Sequence, residues 1–269
     1  MPFAEINKIK IYYEERGDGF PLVLIAGFGV DHMGWSAVID NLAENYRVIL
    51  FDNRGAGQSD APDQSYDIAA MADDIAALLD HLQIEQAYIC GHSMGTSVAQ
   101  QFALKYPQKS KKMILCNALP KLNTLSRMVF DIIDRMIVDG SSRDILCDFF
   151  VPWCYSDDTL ANLDNHPQVK ERNAYAKTTL YPQSVVGFKR QLEAVKSFDI
   201  TKEAKNITVP TLLIAGDKDF LTPIEGSHYL ADHIPQAELH IIKDTGHMSF
   251  VEKPKEFCEI VDTFLAEKE

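Results

Sequence analysis

The sequence predicts an α/β protein with a mostly parallel sheet that helices cover on both faces. Short β-rich apolar segments alternate with helical patterns along most of the chain, which is the order of βαβ units. A G-x-S-x-G sequence lies between one such strand and the following helix. The 269 residues are 46% hydrophobic, so the chain can bury a sizeable core.

The elements follow from apolar runs and helical spacing. Strands are predicted at 6–13, 22–26, 47–51, 87–90, 112–116, 211–215 and 238–242. Helical patterns lie between most of them, at about 67–82, 96–106, 223–233 and 254–267. The first two strands are expected to form an antiparallel hairpin that turns at Gly17-Asp18-Gly19.

The stretch 121–197 has no clear strand and breaks the alternation. Apolar residues from Met128 to Ile137 fall at helical spacing, and further helical patterns follow at about 142–150, 157–164, 167–179 and 182–197. We expect residues 121–197 to be a helical cap on a core domain made of residues 1–120 and 198–269. Four cap aromatics, of which some are expected to line a pocket, are Phe149, Phe150, Trp153 and Tyr155.

Ser93 is the candidate nucleophile. It is the central residue of Gly91-His92-Ser93-Met94-Gly95, with a short apolar strand before it and a helical pattern after it. A strand that turns sharply into a helix needs small residues at the bend, and it leaves the serine hydroxyl exposed at the tip. The alternative is an ordinary strand–helix turn.

A serine hydroxyl needs a base to take its proton, and that base needs an acid to orient it. His247 follows the last apolar strand, in Thr245-Gly246-His247. Asp217 and Asp219 follow the strand before it. Both segments lie where open α/β sheets place their sites, just past the carboxyl ends of strands. The other possibilities are a turn aspartate and a loop histidine.

Together with further segments, this pattern resembles the α/β-hydrolase superfamily over nearly the whole chain. Those segments are Ala26-Gly27-Phe28-Gly29 after an early strand and Asp52-Asn53-Arg54-Gly55-Ala56-Gly57-Gln58-Ser59 after the next. The resemblance implies the α/β-hydrolase fold with a helical cap insertion. It also implies a Ser93, Asp219 and His247 triad, because the family's G-x-x-D pattern selects Asp219 over Asp217.

The resemblance also implies an oxyanion hole. Its donors would be the backbone N–H groups of Phe28, in the loop after the early strand, and of Met94, the residue after the nucleophile. Relatives usually have His-Gly where this chain has Ala26-Gly27. Since the donor is a backbone group, the hole is expected to survive this change.

Within the superfamily, the chain is most similar to the esterase and 3-oxoadipate enol-lactonase group. The segments that carry this similarity are Asp52-Asn53-Arg54-Gly55, Val151-Pro152-Trp153 and Gln191-Leu192-Glu193-Ala194. The expected activity is hydrolysis of a carboxylic ester or lactone through an acyl-enzyme. Carbon–carbon-bond hydrolases, thioesterases, amidases, perhydrolases and acyl-carrier methyl-ester hydrolases share the triad and stay open, as does a small-molecule receptor of the same fold.

Composition excludes other classes of function. The net charge of −13 opposes binding to nucleic acid and to anionic membranes. We expect no metal and no cofactor, since the Asp52–Gly57 loop lacks a P-loop ending and no histidine pair has metal-ligand spacing. Five cysteines without a C-x-x-C motif suggest reduced thiols and a cytoplasmic protein. No signal peptide or membrane span is expected.

Overall fold

The computed structural model describes residues 2–266. Within them, one eight-stranded sheet has the strand order β1-β2-β4-β3-β5-β6-β7-β8. The strands are β1 (Phe3–Ile6), β2 (Ile9–Arg16), β3 (Phe20–Ile25), β4 (Tyr46–Phe51), β5 (Ala87–His92), β6 (Ser110–Cys116), β7 (Thr211–Gly216) and β8 (Ala237–Ile242). From β4 through β8 all neighbours are parallel, whereas β1 pairs with β2, and β2 with β4, in antiparallel fashion. The predicted mostly parallel α/β architecture is confirmed.

The position predicted for the N-terminal hairpin was wrong. β2 and β3 do not pair across Gly17–Gly19, because β4 lies between them. The antiparallel hairpin joins β1 to β2 instead, and it turns at Asn7 and Lys8, both with positive φ (47° and 65°). That turn divides the single strand predicted at 6–13. The sequence pattern missed it because Asn-Lys lacks the glycine that usually marks such a turn.

Side chains of the central strands alternate between two apolar clusters. Val23, Ile25 and Ile89 belong to one cluster, and Leu22, Leu24 and Cys90 to the other. Because successive strand side chains point to opposite faces, the two clusters are the two faces of the sheet. Both faces are therefore buried, and the carboxyl ends of the strands are left to carry polar groups.

Helices cover both faces. α2 (Ile68–His81), α3 (Met94–Lys105) and α9 (Ile224–His233) contribute to the first cluster, and α1 (Ile39–Ala43), α10 (Ser249–Glu252) and α11 (Pro254–Ala266) to the second. The short helices α1 and α10 were not predicted, since they have too few residues to show a period. Glu267, the predicted end of the last helix, lies outside the described residues.

Five helices lie between β6 and β7, in the segment predicted to be helical. They are α4 (Thr124–Val138), α5 (Arg143–Cys154), α6 (Asp157–Ala161), α7 (Pro167–Thr178) and α8 (Val185–Ser197). Side chains of Asn123, Ser142, Ser156 and Ser184 cap four of them at their N-termini. α5 runs past its predicted end because it accommodates Pro152 in its last turn. Lys121 and Asp199 form a β-bridge, which brings the two ends of the segment together.

Candidate active site

Ser93 occupies a sharp bend between β5 and α3. Its backbone has φ 55° and ψ −120°, a conformation that a non-glycine residue adopts only when its surroundings enforce it. The Ser93 N–H donates to Cys116 O at 3.0 Å. The Ser93 carbonyl accepts from the Thr96 N–H and the Thr96 hydroxyl, at 2.8 and 2.6 Å. These bonds hold the bend, with Ser93 half-buried at its tip.

The two glycines of the motif are required by close backbone contacts. A methyl group at Gly91 would lie 2.3 Å from Gly95 O, and one at Gly95 would lie 2.2 Å from Ile25 O. Neither backbone atom can move without disturbing β3 or α3. The G-x-S-x-G spacing is therefore what allows β5, α3 and β3 to meet at this point.

Asp219 and His247 form a buried pair. Asp219 Oδ2 lies 2.8 Å from His247 Nδ1, and the two residues are 6% and 3% exposed. Asp217, the alternative acid, is exposed, and its nearest charged partner is Lys218 at 3.8 Å. Of the two aspartates, only Asp219 has the geometry to orient the imidazole.

Asp219 accepts further hydrogen bonds on both carboxylate oxygens. The N–H groups of Leu221 and Thr222 donate to Oδ1, each at 2.8 Å. Asn117 Nδ2 and Thr222 Oγ1 donate to Oδ2, at 2.7 and 2.5 Å. Thr222 Oγ1 also lies 3.0 Å from His247 Nδ1. Together with His247, these donors hold the buried carboxylate of Asp219 in one orientation.

His92 holds the backbone of His247. Its Nε2 lies 2.8 Å from His247 O, and because a carbonyl only accepts, Nε2 carries the proton. Burial, with a contribution from the nearby His247, lowers the pKa of His92 well below its usual value. His92 is therefore a neutral structural donor.

Glu252 ties the His247 loop to the inserted helices. Its Oε1 accepts from the Gly246 N–H at 2.6 Å, and its Oε2 accepts from the Ser156 N–H and hydroxyl at 3.1 and 2.8 Å. The Met248 N–H donates to Cys154 O at 2.9 Å. The α5–α6 junction thus fixes the loop on both sides of His247.

The loop after β3 packs against Ser93. A methyl group at Gly27 would lie 3.3 Å from Ser93 Cβ. Within the described residues, the Phe28 N–H makes no hydrogen bond, and Met94 is the first residue of α3, where N–H groups have no intrahelical acceptor. Both predicted oxyanion donors therefore lack an acceptor among residues 2–266, and both residues line the small cavity at Ser93.

Gln191 of α8 anchors the same loop from the inserted segment. Its Oε1 accepts from the Gly29 N–H at 2.9 Å, and its Nε2 donates to Arg54 O at 2.8 Å. Gln191 is fully buried. Ala26, which replaces the histidine usual in relatives, is buried, and its carbonyl accepts from Asn53 Nδ2 at 3.1 Å. The loop is thus fixed from both sides without the histidine.

The contact between Ser93 and the imidazole is open. Among residues 2–266, no hydrogen bond joins the Ser93 hydroxyl to His247. A cavity of about 30 Å³ lies at Ser93, and its lining includes Asn117 and Thr222, the partners of Asp219. Catalytic hydrogen bonds are often long in ligand-free enzymes and shorten once substrate is bound.

A larger cavity of about 540 Å³ lies between the inserted helices and the loop after β3. Phe28 and Phe130 line both cavities, with ring centroids 4.7 Å apart, so they stand between them. Of the four predicted pocket aromatics, Phe150 lines the larger cavity, whereas Phe149, Trp153 and Tyr155 pack into the apolar clusters. A ligand that reaches Ser93 from this cavity must pass the two phenylalanines.

The Asp52 loop is structural. Asp52 Oδ1 accepts from both the backbone N–H and Nδ1 of His32, at 2.7 and 2.8 Å, and Oδ2 accepts from the Gln58 N–H at 2.8 Å. Burial lowers the pKa of His32, but the hydrogen bond and charge of Asp52, with Asp31 and Glu14, outweigh it and raise the pKa. The His32 side chain is therefore bound to Asp52 and lines neither cavity.

Within 2–266, no three histidine, cysteine or acidic side chains converge as metal ligands would. All five cysteines are free thiols, with Cys90 and Cys116 Sγ 3.9 Å apart. No helix in this part of the chain has the length and apolar character needed to cross a bilayer.

Several site residues were missed from the sequence. Asn117 follows β6 as Asp219 follows β7, so the strand-end rule could have identified it. Thr222 lies three residues after Asp219. Glu252 carries no local signal, since its partner Ser156 lies far away in the chain. Gln191 belongs to a segment that carries the resemblance to the enol-lactonase group, but its neighbours in sequence do not indicate the contact with Gly29.

Comparison with known proteins agrees with this fold. A family model described as alpha/beta hydrolase fold matches residues 21–254. "Putative carbamate hydrolase RutD" of Stutzerimonas stutzeri is 32% identical over 96% of this chain and 97% of its own. A 3-oxoadipate enol-lactonase of Acinetobacter baylyi is 28% identical over 93% and 90%. The crystal structure of the Burkholderia xenovorans enol-lactonase matches with a TM-score of 0.88, 26% identity and coverage of 99% and 100%. The chain therefore belongs to the alpha/beta hydrolase family of enzymes.

Proposed function

We propose that the protein is a serine hydrolase that cleaves a carboxylic ester or lactone through an acyl-enzyme. The observation that carries this proposal is the buried Asp219–His247 pair, 2.8 Å apart, beside the strained bend that presents Ser93. A similar enol-lactonase sequence and structure support a lactone or ester substrate.

Each residue has a role in the proposed reaction. His247 takes the Ser93 proton as the hydroxyl oxygen attacks the carbonyl carbon, and Asp219 stabilises the imidazolium that forms. The N–H groups of Phe28 and Met94 bind the oxyanion. His247 then protonates the leaving oxygen, and afterwards it takes a proton from the water that releases the acyl group.

We also propose that residues 121–197 act as a cap over a core of residues 1–120 and 198–269. Support comes from the cavity of about 540 Å³ that this segment encloses with the loop of Phe28. Its lining is mostly apolar, as small-molecule sites usually are. The substrate is accordingly a small molecule, as the names of the hydrolase relatives also suggest.

The test is turnover of p-nitrophenyl esters from acetyl to octanoyl, and of a series of lactones, by wild type and Ser93→Ala. Wild type is expected to hydrolyse at least one substrate class, with kcat reduced on the order of 10⁴-fold or more in the variant. Equal activity of the two proteins would contradict the assignment of Ser93. Saturable binding of an ester or lactone without its hydrolysis would indicate a small-molecule receptor.

A second candidate is carbamate hydrolysis. It is favoured by the relative from Stutzerimonas stutzeri, whose name refers to that activity and which is 32% identical to this chain. p-Nitrophenyl carbamate and p-nitrophenyl acetate share a leaving group and differ in the acyl side. The ratio of their kcat/KM values, measured with the same enzyme, therefore separates the two candidates.

A further inference from the structure

Arg172 of α7 lines the larger cavity without a carboxylate partner. None of the ion pairs within residues 2–266 includes it. Its Nε is out of contact with solvent and has no hydrogen-bond partner, and its polar neighbour is the Tyr155 hydroxyl. The side chain is partly buried, and Asp31 acts on its charge only from beyond ion-pair distance, so part of the cost of burying the guanidinium is left uncompensated.

The other arginines of the chain show that partners were available. Acidic residues outnumber basic ones by 39 to 26. Four arginines bind carboxylates and three donate to backbone carbonyls: Arg16, Arg47, Arg54 and Arg190, and Arg127, Arg135 and Arg143. Arg172 belongs to neither group, although an acidic protein offers many carboxylates for an arginine to bind.

The acid in the same cavity is already engaged. Asp31 Oδ2 accepts from the Tyr175 hydroxyl at 2.7 Å, and Oδ1 accepts from the Met33 N–H at 3.1 Å. Arg143 also lines the cavity, but it donates to Thr179 O at 3.0 Å. Among the described residues, Arg172 is therefore the cationic side chain of this cavity that engages neither a carboxylate nor a backbone carbonyl.

Arg172 is close enough to the candidate triad for its charge to act on His92, whose Nε2 binds His247 O. Its neighbour Tyr155 packs on the loop of His247, since a methyl group at Gly246 would lie 2.7 Å from Tyr155 C. A ligand that contacts Arg172 and extends past Phe28 and Phe130 would run from the cavity toward Ser93. The rest of the lining is mostly apolar, as a hydrocarbon spacer requires.

We propose that Arg172 is an anion subsite and that the substrate carries a carboxylate on the part that fills the large cavity. The planar guanidinium donates paired N–H groups whose spacing matches the two carboxylate oxygens. This inference rests on the proposed function, because it deepens the substrate class of the same site. It assigns Arg172 to substrate binding and leaves the chemical step to Ser93.

The first experiment is a binding measurement, which does not depend on turnover. Hexanoate and hexanamide are titrated calorimetrically into wild type, Arg172→Gln, Arg172→Lys and Arg190→Gln. Arg190 is the matched control, because its Nε is likewise buried without a partner but its terminal nitrogens bind Asp63 and Glu193 outside the cavity.

Wild type and Arg190→Gln are expected to prefer hexanoate by about tenfold or more, the size of a charge-assisted hydrogen bond. Arg172→Gln should lose that preference yet bind hexanamide as wild type does, which also shows that it is folded. Arg172→Lys should keep part of the preference for hexanoate. If Arg172→Gln still prefers hexanoate, the carboxylate binds elsewhere, such as at the oxyanion donors, and the proposal is overturned.

The second experiment compares p-nitrophenyl esters of fatty acids with mono-p-nitrophenyl esters of diacids of equal length. In wild type the diacid esters are expected to have the lower KM at the length that spans from Ser93 to Arg172. Arg172→Gln should raise that KM toward the value for the fatty-acid ester of equal length, whereas Arg190→Gln should leave the KM values of both series as they are in wild type. Inactivity toward every ester would count against the proposed function alone, whereas equal KM values for both series would count against the anion subsite.

Discussion

Replacement of Asp219 by Asn tests the candidate triad most directly. In one orientation, the new amide nitrogen faces the donors Asn117 Nδ2 and His247 Nδ1, at 2.7 and 2.8 Å from the present oxygen. In the other, it faces the N–H groups of Leu221 and Thr222, both at 2.8 Å. Thr222 Oγ1, the third donor to Oδ2, can rotate and accept from the amide instead. Either orientation therefore creates two buried donor–donor contacts, each costing about 1–3 kcal/mol.

The first orientation can be relieved if the imidazole proton moves from Nδ1 to Nε2. Nδ1 then accepts from the amide, but Nε2 can no longer take the Ser93 proton. The expected loss in kcat is about 10⁴-fold, equivalent to about 5.5 kcal/mol at 1.36 kcal/mol per tenfold. The free energy of unfolding should fall by about 1–3 kcal/mol, because relief of one donor–donor contact leaves the other in place.

The assay is steady-state hydrolysis of the best p-nitrophenyl ester, with denaturant unfolding of the same samples. Asp217→Asn is the matched control, since Asp217 is exposed and 3.8 Å from Lys218, and it should stay within about twofold of wild type. A fully active Asp219→Asn, or an inactive and well-folded Asp217→Asn, would refute this reasoning.

Three further predictions follow from the site and its surroundings. Ser93→Gly should be as inactive as Ser93→Ala but more stable to unfolding by about 1 kcal/mol, because glycine adopts φ 55° without strain; equal melting temperatures of the two variants would contradict this. Phe130→Leu should raise the octanoyl-to-acetyl ratio of kcat/KM by about tenfold, since a smaller side chain beside Phe28 joins the two cavities; an unchanged ratio would exclude Phe130 as the barrier. His32→Asn should lose most stability below about pH 6.5 and progressively less as pH rises, because the folded state raises the pKa of His32 and so favours its protonated form beside Asp52; a pH-independent difference in unfolding free energy between wild type and variant would show that this charge does not matter.

Local patterns predicted the positions, within the candidate site, of the residues that local sterics determine. Gly91 and Gly95 are needed wherever a strand bends into a helix against a neighbouring strand, so the position of Ser93 could be read from five residues. Asp219 and His247 follow apolar strands, and parallel strands end at one edge of the sheet. The same rule, applied to β6, would have added Asn117.

Features that depend on long-range pairing could not be predicted in this way. Strand β4 inserts between β2 and β3, which no property of the Gly17–Gly19 turn reveals. Gln191 contacts the Gly29 N–H across 162 residues of sequence, and Glu252 contacts Ser156 across 96. Such contacts are set by how the inserted helices dock, and docking has no signature in a residue's neighbours.

The β-bridge between Lys121 and Asp199 has a consequence for protein engineering. The inserted helices leave and rejoin the sheet at one junction, where the Ile200 N–H also donates to Pro120 O at 3.0 Å. Because the two ends of the segment lie together there, it can be exchanged as a module without changing the length of chain that the core must bridge. A segment taken from a relative would still need a side-chain oxygen that accepts from the Gly29 N–H, as Gln191 does, and a hydroxyl that donates to Glu252, as Ser156 does. Chimeras in which only the exchange points at this junction are matched should fold and lose activity. Restoring the contacts of Gly29 and Glu252 should recover the activity.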